Sequence, residues 1–222
     1  MTDFARLMSD YFVKYLAGQK GSGSNTMKTY RDTFVQLLEF MDEKKHIRAD
    51  CIEVDSFSYD IINEFLEYLE KEKRVSISTR NNRLAAIRSF FKYTGYHEPK
   101  YLNISTSIRE ISKKKTEGRQ MNYLSVNAME HFLNSFDKTD HKELRCFCIV
   151  LLLYESGARV TELCNVRRYD LHLEKPYTMI LHGKGDKIRS VPLDGLVADV
   201  ISNYIQKYRA DDNDFLFFNT RR

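Results

Sequence analysis

The spacing of apolar residues in the N-terminal half most constrains the fold. Residues 3–16 carry a stripe with the i, i+3, i+4 spacing of an amphipathic helix, at Phe4, Leu7, Met8, Tyr11, Phe12 and Tyr15. Similar stripes predict helices at 25–45, 58–73 and 78–93, and Gly95 is expected to end the fourth. Only 3 Pro and 9 Gly occur in 222 residues, which favours a mainly helical protein.

The apolar pattern changes in the C-terminal half. The run CFCIVLLLY inside 141–156 predicts a buried helix. Residues 177–182 and 187–193 are strand-like and flank the turn Gly183-Lys184-Gly185-Asp186, which predicts an antiparallel hairpin. A last helix is predicted over 195–209. The expected fold class is therefore mainly α with a small antiparallel β-hairpin or sheet.

Charge and composition suggest three parts: a helical domain at 1–98, a basic linker at 99–120, and a second domain at 121–222. The linker has two acids, Glu110 and Glu117, and six basic residues, namely Lys100, Arg109, Lys113, Lys114, Lys115 and Arg119. This surplus equals the formal net charge of +4 of the whole chain. The linker is either a solvated connection or a strap that lies on an anion such as a nucleic-acid backbone.

The predicted fourth helix has a polar face beside its apolar stripe. Asn81, Arg88 and Lys92 are spaced 7 and 4 residues apart and project together. Lys28 and Arg31 in the second helix extend this edge. An ordinary solvated flank is the alternative, but the basic linker downstream favours a DNA-facing edge. The predicted DNA-binding residues are Lys28, Arg31, Asn81, Arg88, Lys92, Lys113, Lys114 and Lys115.

Cysteine usage and hydropathy bear on the cellular setting. Four cysteines without CxxC spacing are interpreted as small core residues in a reducing cytosol, namely Cys51, Cys146, Cys148 and Cys164. The longest apolar run is about nine residues, against the roughly 20 that cross a bilayer. No signal peptide is visible. A cytoplasmic location, in the bacterial cytosol or nucleoid, is expected, with no membrane partner and no metal site.

Arg159 places a permanent charge at the start of a helix, directly after the buried run. Taken alone, it is interpreted as an exposed residue paired with Glu162 one turn on. Lys184 taken alone is a solvated lysine at a hairpin tip. Both residues belong to a longer order, however: SGAR159, VTEL, RRYD170L, GK184G and then RSVPL on the return strand.

This order resembles the tyrosine recombinase (phage integrase) family, with its boxes TGLRxSEL and GKGxKxRxVPL. The N-terminal helices resemble the core-binding domain of the family through Thr26 and Tyr30 and the pair Phe90-Phe91. The resemblance implies a helical SAM-like domain followed by a truncated α+β recombinase catalytic domain. It implies integration, or another site-specific DNA recombination of mobile elements, with double-stranded DNA and other recombinase subunits as partners.

The resemblance also implies catalytic roles. A tyrosine hydroxyl attacks the scissile phosphate, and Arg159 would grip the non-bridging oxygens on which negative charge grows. Lys184 would be the general acid that protonates the leaving 5′-oxygen. Neither step needs a metal or a nucleotide cofactor, so no cofactor is expected. The role of Glu162 would be to orient the helix rather than to react.

Other family elements are missing from these 222 residues. None of the six histidines has Arg three residues on, so there is no His-x-x-Arg box. Tyr204 and Tyr208 come too early for the nucleophile and are interpreted as packing residues. The chain alone is therefore expected to be inactive. Three hypotheses remain: the DNA-binding portion of a recombinase, a natural truncated relative that binds without cutting, or a helical protein-interaction module.

Overall fold

The computed structural model of the chain describes residues 1–116, 118, 122–185, 187–208 and 213–218. It divides into two compact units, Met1–Arg119 and Gln120–Arg222. The described residues form a mainly helical structure with one three-stranded antiparallel sheet in the second unit. The predicted fold class is confirmed.

The regular elements of the first unit, in its described residues, are all helical. Its helices are α1 (Asp3–Asp10), continued by a π-helical stretch (Tyr11–Gln19), α2 (Ser24–Lys45), α3 (Tyr59–Lys71), α4 (Ile77–His97) and α5 (Leu102–Glu110), with single 3-10 turns at Ala49–Cys51, Val54–Ser56 and Pro99–Tyr101. Ser58 and Ser76 cap α3 and α4, because each hydroxyl accepts a hydrogen bond from the backbone N–H three residues on. The core is aromatic: around the Phe90 ring lie Phe4, Tyr11, Phe34 and Phe91 at centroid distances of 5.3–5.5 Å.

The expectation that Gly95 ends the fourth helix is wrong, since α4 continues to His97. Gly95 is buried because α5 packs closely against it. A Cβ at this position would lie 2.6 Å from the Ser105 Oγ and 2.7 Å from the Ser105 Cβ. The helix ends instead at Glu98, whose φ of −133° and ψ of 92° are the extended values imposed by Pro99.

The predicted linker at 99–120 also needs a correction. Residues 99–110 form a 3-10 turn and α5, and Tyr101, Ile108 and Ile111 are buried in the core of the first unit. With the partly buried Ile104, these residues recur at spacings of 3, 4 and 3, which is a helical stripe that the surrounding charge obscured. Chain without helix or strand begins after Glu110, and Glu117 and Arg119 lie outside the described residues.

The second unit packs helices against a small sheet. Its elements are α6 (Val126–Asn134), α7 (His141–Ser156), α8 (Val160–Cys164), a 3-10 turn (Arg168–Asp170), β1 (Leu171–His172), β2 (Thr178–His182), β3 (Ile188–Pro192) and α9 (Gly195–Tyr208). The strand order is β1-β2-β3, and β2 pairs with β3 in the register Met179↔Val191 and Leu181↔Arg189. Met179 and Leu181 are buried, so this face of the hairpin meets the core. The predicted hairpin and last helix are present, whereas β1 was not predicted.

Only one of the four cysteines follows the sequence interpretation. Cys148 is buried, and its pKa is raised to about 12 by burial, as expected of a core residue. Cys51, Cys146 and Cys164 are exposed, so for them the interpretation as core residues is wrong. The described helices include none that is long and apolar enough to cross a membrane.

Candidate active site

A sharp change of chain direction sets the position of Arg159. Helix α7 ends at Gly157, which has the left-handed φ of 58° that glycine adopts without strain, and its N–H donates to the carbonyl of Leu153 at 3.1 Å. Arg159 then returns to extended geometry and caps α8. Its side chain remains 73% exposed. The helix junction therefore presents a guanidinium to solvent from a rigid backbone.

A buried carboxylate organises the charges around Arg159. Glu162 is only 4% exposed, and its Oε2 accepts the backbone N–H of Arg159 at 2.9 Å, while its Oε1 accepts the Arg159 Nη1 at 2.7 Å. Arg189 on β3 donates to the same carboxylate, from Nη2 to Oε2 at 2.7 Å and from Nη1 to Oε1 at 3.2 Å. One negative charge thus faces two permanent positive charges.

The two arginines lower the pKa of Glu162 to about 2. The side-chain hydrogen bond from Arg189 contributes most, followed by the backbone N–H of Arg159, and burial opposes both. The carboxylate therefore stays ionised at neutral pH and holds Arg159 by two contacts. Because the surplus charge is positive and lies on an exposed side chain, this cluster is suited to bind an anion.

The same carboxylate lies beside the base of the β2–β3 loop. A Cβ on Gly183 would lie 3.2 Å from the Glu162 Oε1 and 3.3 Å from the carbonyl oxygen of Lys187. Glycine at this position therefore lets the loop approach Glu162 closely. Lys184 follows directly and is exposed at the tip, before Gly185 with a φ of +74°. The structure thus brings Arg159 and the loop that carries Lys184 to one point.

Asp170 fastens the other side of the hairpin. It is 4% exposed, and its Oδ2 accepts the backbone N–H of Arg167 at 2.8 Å. Its Oδ1 lies 3.3 Å from the His182 Nε2, at the last residue of β2. This contact links the 3-10 turn before β1 to the base of the β2–β3 loop. The aspartate of the RRYDL stretch therefore has a structural role.

Sequence reasoning missed Arg189. Its partner Glu162 lies 27 residues earlier, beyond any local spacing rule. A partial signal was available: Arg189 lies two residues before the apolar Val191, so the two-residue period of a strand places both on one face, which in the structure is the face of Met179 and Leu181. An arginine at an inward position requires an acid partner, and Glu162 provides it.

The predicted DNA-binding residues all lie in the first unit. Lys28, Arg31 and Lys92 are exposed, and the Lys92 Nζ lies 5.9 Å from the centre of the Tyr96 ring. A groove of about 290 Å³ lies between the N-terminal parts of α2 and α4, lined by Asn25, Thr26, Thr29, Tyr30, Asn82 and Ala85. Direct contact of these residues with DNA remains a prediction.

Asn81 and Arg88, also predicted to bind DNA, have protein partners. The Asn81 side chain bonds to the backbone of Lys114, and the Arg88 Nη2 donates to the carbonyl of Arg109. Arg88 therefore holds the last turn of α5 and Asn81 holds the chain that follows it, so neither side chain projects freely from α4. The described residues contain no cluster of three or more His, Cys, Asp or Glu that would hold a metal ion.

Comparison with known proteins decides the family. The model of the phage integrase family matches residues 122–222, and that of the phage integrase N-terminal SAM-like domain matches residues 10–99. The tyrosine recombinase XerD of Listeria innocua is 30% identical over 224 aligned residues, covering 95% of this chain and 70% of the relative. The chain belongs to the tyrosine recombinase family. The family resemblance noted in the sequence is confirmed.

Other relatives and structures agree with this assignment. The putative integrase/recombinase y4rC of Sinorhizobium fredii is 27% identical, covering 98% of this chain and 65% of the relative. The XerH recombinase in a post-cleavage complex with difH shares the fold at a TM-score of 0.68 and 23% identity, covering 95% of this chain and 61% of that one. The Tn1549 transposon integrase in complex with circular intermediate DNA reaches 0.67 at 19% identity, with 99% and 72% covered. This tyrosine recombinase chain spans about two thirds of the length of the curated relatives it matches.

Proposed function

We propose that this chain acts in site-specific DNA recombination, in which it binds duplex DNA and positions a scissile phosphate for phosphotyrosine strand exchange. The observation that carries the proposal is the exposed guanidinium of Arg159, held by the buried Glu162 beside the Lys184 loop. Family membership supports the reaction class. Two proteins with the same fold, the XerH site-specific recombinase bound to difH substrate and the Tn1549 integrase in complex with circular intermediate DNA, support duplex DNA as the partner.

The reaction places specific demands on these residues. Attack by a tyrosine hydroxyl forms a bond to phosphorus and breaks the bond to the 5′-oxygen, while negative charge grows on the non-bridging oxygens. Arg159 donates hydrogen bonds to those oxygens, and a preorganised donor of this kind contributes about 3–4 kcal/mol. Lys184 gives its proton to the departing 5′-oxygen. No residue of this chain is assigned as the nucleophile, because no His-x-x-Arg box precedes a candidate tyrosine.

Glu162 makes the arginine effective before DNA arrives. An exposed arginine samples many rotamers, and fixing such a side chain costs about 1.5–2 kcal/mol. The bond from the Arg159 Nη1 to Glu162 restricts those rotamers in advance. Arg189 balances the buried negative charge, so that Glu162 does not cancel the charge of Arg159. The phosphate-binding group is therefore both oriented and positive.

The first unit supplies the sequence-independent part of DNA binding. The exposed cations Lys28 and Arg31 lie in the first half of α2, and the exposed Lys92 lies on α4. Lys113 and Lys115 follow α5. Each phosphate that such a cation neutralises releases counterions and strengthens binding at low salt. Assembly with further recombinase subunits on the DNA is part of the proposal, as is a functional division into a DNA-binding part that includes α5 and a catalytic part at 121–222.

Exchange of the arginine for a lysine tests the catalytic role. In a recombinase that contains this chain together with the tyrosine nucleophile, Arg159→Lys keeps the charge but loses the planar two-point donor. Cleavage of a nicked suicide duplex should fall at least about a hundredfold, or roughly 2.7 kcal/mol in the transition state.

The control is Arg167→Lys, because Arg167 is also partly exposed in this unit but lies against Tyr169 and Phe215. Its cleavage rate should stay close to that of the parent protein. Parent-like cleavage by Arg159→Lys would contradict the catalytic assignment.

A further inference from the structure

The side chain of Asn81 binds the backbone of Lys114 as a peptide group would. Its Oδ1 accepts the Lys114 N–H at 3.1 Å, and its Nδ2 donates to the Lys114 carbonyl oxygen at 2.8 Å. An asparagine amide has both a donor and an acceptor, so one side chain satisfies both backbone groups of one residue. This reciprocal pair joins two residues 33 positions apart.

Three further contacts fasten the same stretch, residues 109–114, which we call the anchored segment. The Arg88 Nη2 donates to the carbonyl of Arg109, and the Arg80 Nη1 donates to that of Ser112 at 3.2 Å. The Lys114 Nζ bonds to the Glu70 Oε2 at 2.8 Å. Arg80 is 5% exposed, so the side chain that binds Ser112 is itself buried on α4.

The attachment divides the three consecutive lysines into two kinds. The Lys114 ammonium is paired with Glu70, whose side chain is only 22% exposed and also lies 3.2 Å from the Arg80 Nε. Lys113 and Lys115 are exposed, and no carboxylate of the described residues lies within 4.0 Å of either ammonium group. Two of the three charges are therefore available to an external anion.

We propose that Asn81 is a positioning residue that holds the anchored segment on α4, so that Lys113 and Lys115, but not Lys114, contact phosphates of duplex DNA. This inference rests on the proposed DNA binding. It changes the predicted role of Asn81 from a phosphate contact to a support for other contacts. Ordering a backbone segment costs conformational entropy, and the anchored segment meets that cost before DNA binds.

The attachment is tested without DNA by hydrogen exchange at the Lys114 amide. The Asn81→Leu variant removes both bonds, so protection of this amide should fall to the level of the exposed amides beside it. The Asn81→Asp variant keeps an acceptor for the N–H, so protection should persist. Unchanged protection in Asn81→Leu would overturn the positioning role. Amides inside α4 report whether the variants remain folded.

The charge assignment is tested by the salt dependence of binding to a random-sequence duplex of about 30 base pairs. Lys113→Ala and Lys115→Ala should each reduce the log–log salt slope by about 0.9, whereas Lys114→Ala should leave it unchanged. Lys71→Ala is the matched control, since the Lys71 ammonium is paired with Glu67 at 2.7 Å as Lys114 is with Glu70.

Each outcome of this second experiment bears on one statement. Equal reductions for Lys113, Lys114 and Lys115, or no reduction for Lys113 and Lys115, would overturn the assignment while leaving DNA binding intact. Absence of binding at low salt would instead overturn the proposed function itself, and the exchange experiment would still report on the attachment. In Asn81→Leu the affinity should fall severalfold with the slope retained, because the lysines persist but must be ordered on binding.

Discussion

Replacement of Gly95 by alanine should destabilise the first unit, although helix propensity alone predicts the opposite. Alanine in a helix interior is favoured over glycine by about 1 kcal/mol. At Gly95, however, the new Cβ would lie 2.7 Å from the Ser105 Cβ and 2.6 Å from its Oγ. Ser105 is 1% exposed, and its Cβ is fixed to the backbone of α5, so the two helices must move apart.

The two effects can be compared in magnitude. Overpacking of a close-packed site costs about 1–3 kcal/mol, and contacts this short belong in the upper half of that range. After the gain in propensity, we expect a net loss of about 1–2 kcal/mol, which for a unit of this size lowers Tm by about 4 °C or more. Hydrogen exchange of the core amides of α4 gives the free energy for this unit separately from the second unit.

Two further variants make the reasoning refutable. Gly18 is helical as well, but a Cβ there would meet only the Val13 carbonyl at 3.6 Å, so Gly18→Ala should be neutral or stabilising. Adding Ser105→Gly to Gly95→Ala should recover at least about 1 kcal/mol through the coupling of the two sites. Stabilisation by Gly95→Ala alone would show that α5 does not pack against Gly95 as described.

Two predictions concern the candidate active site. The pKa of Glu162 is lowered from 4.5 to about 2, so the ionised carboxylate adds stability above its unfolded pKa, and this stability is lost as the pH falls through about 2. The stability of the Glu162→Gln variant, measured by circular dichroism, should therefore depend less on pH between pH 4.5 and 2 than that of the parent protein. An unchanged pH profile would refute the charge network. Hydrogen exchange at Lys184 and Gly185 should be fast in the absence of DNA and slow when a scissile phosphate is bound, whereas equal rates would count against Lys184 as general acid.

Periodicity was sufficient for most elements of this fold. The stripes at 25–45 and 58–73 correspond to α2 and α3 within two residues, and the alternation around Gly183 to Gly185 corresponds to β2 and β3. These patterns reflect which face of an element is buried, and that is recorded locally in the sequence. The end of the fourth helix at Gly95 was predicted wrongly because Gly95 serves a contact with a distant part of the sequence. It allows α5 to pack against α4, and the sequence analysis had not recognised α5 as a helix.

Part of the candidate site was also visible in the sequence. The ion pair between Arg159 and Glu162 was one reading of their three-residue spacing, and the structure shows that the pair and an exposed guanidinium coexist. The contact of Arg189 with Glu162 and that of Asn81 with Lys114 span 27 and 33 residues. Contacts of that range depend on the packing of whole elements, so a local pattern shows at most which face a residue lies on and does not identify its partner.

The salt dependence of duplex DNA binding by this chain tests the central claim most directly. Five exposed basic residues are expected to contact phosphates, namely Lys28, Arg31, Lys92, Lys113 and Lys115. Each contributes about 0.9 to the slope, so log K against log salt should fall with a slope of about −4 to −5 for a random-sequence duplex. Absence of binding at about 50 mM salt, or a slope near zero, would contradict the assignment of DNA binding to the first unit.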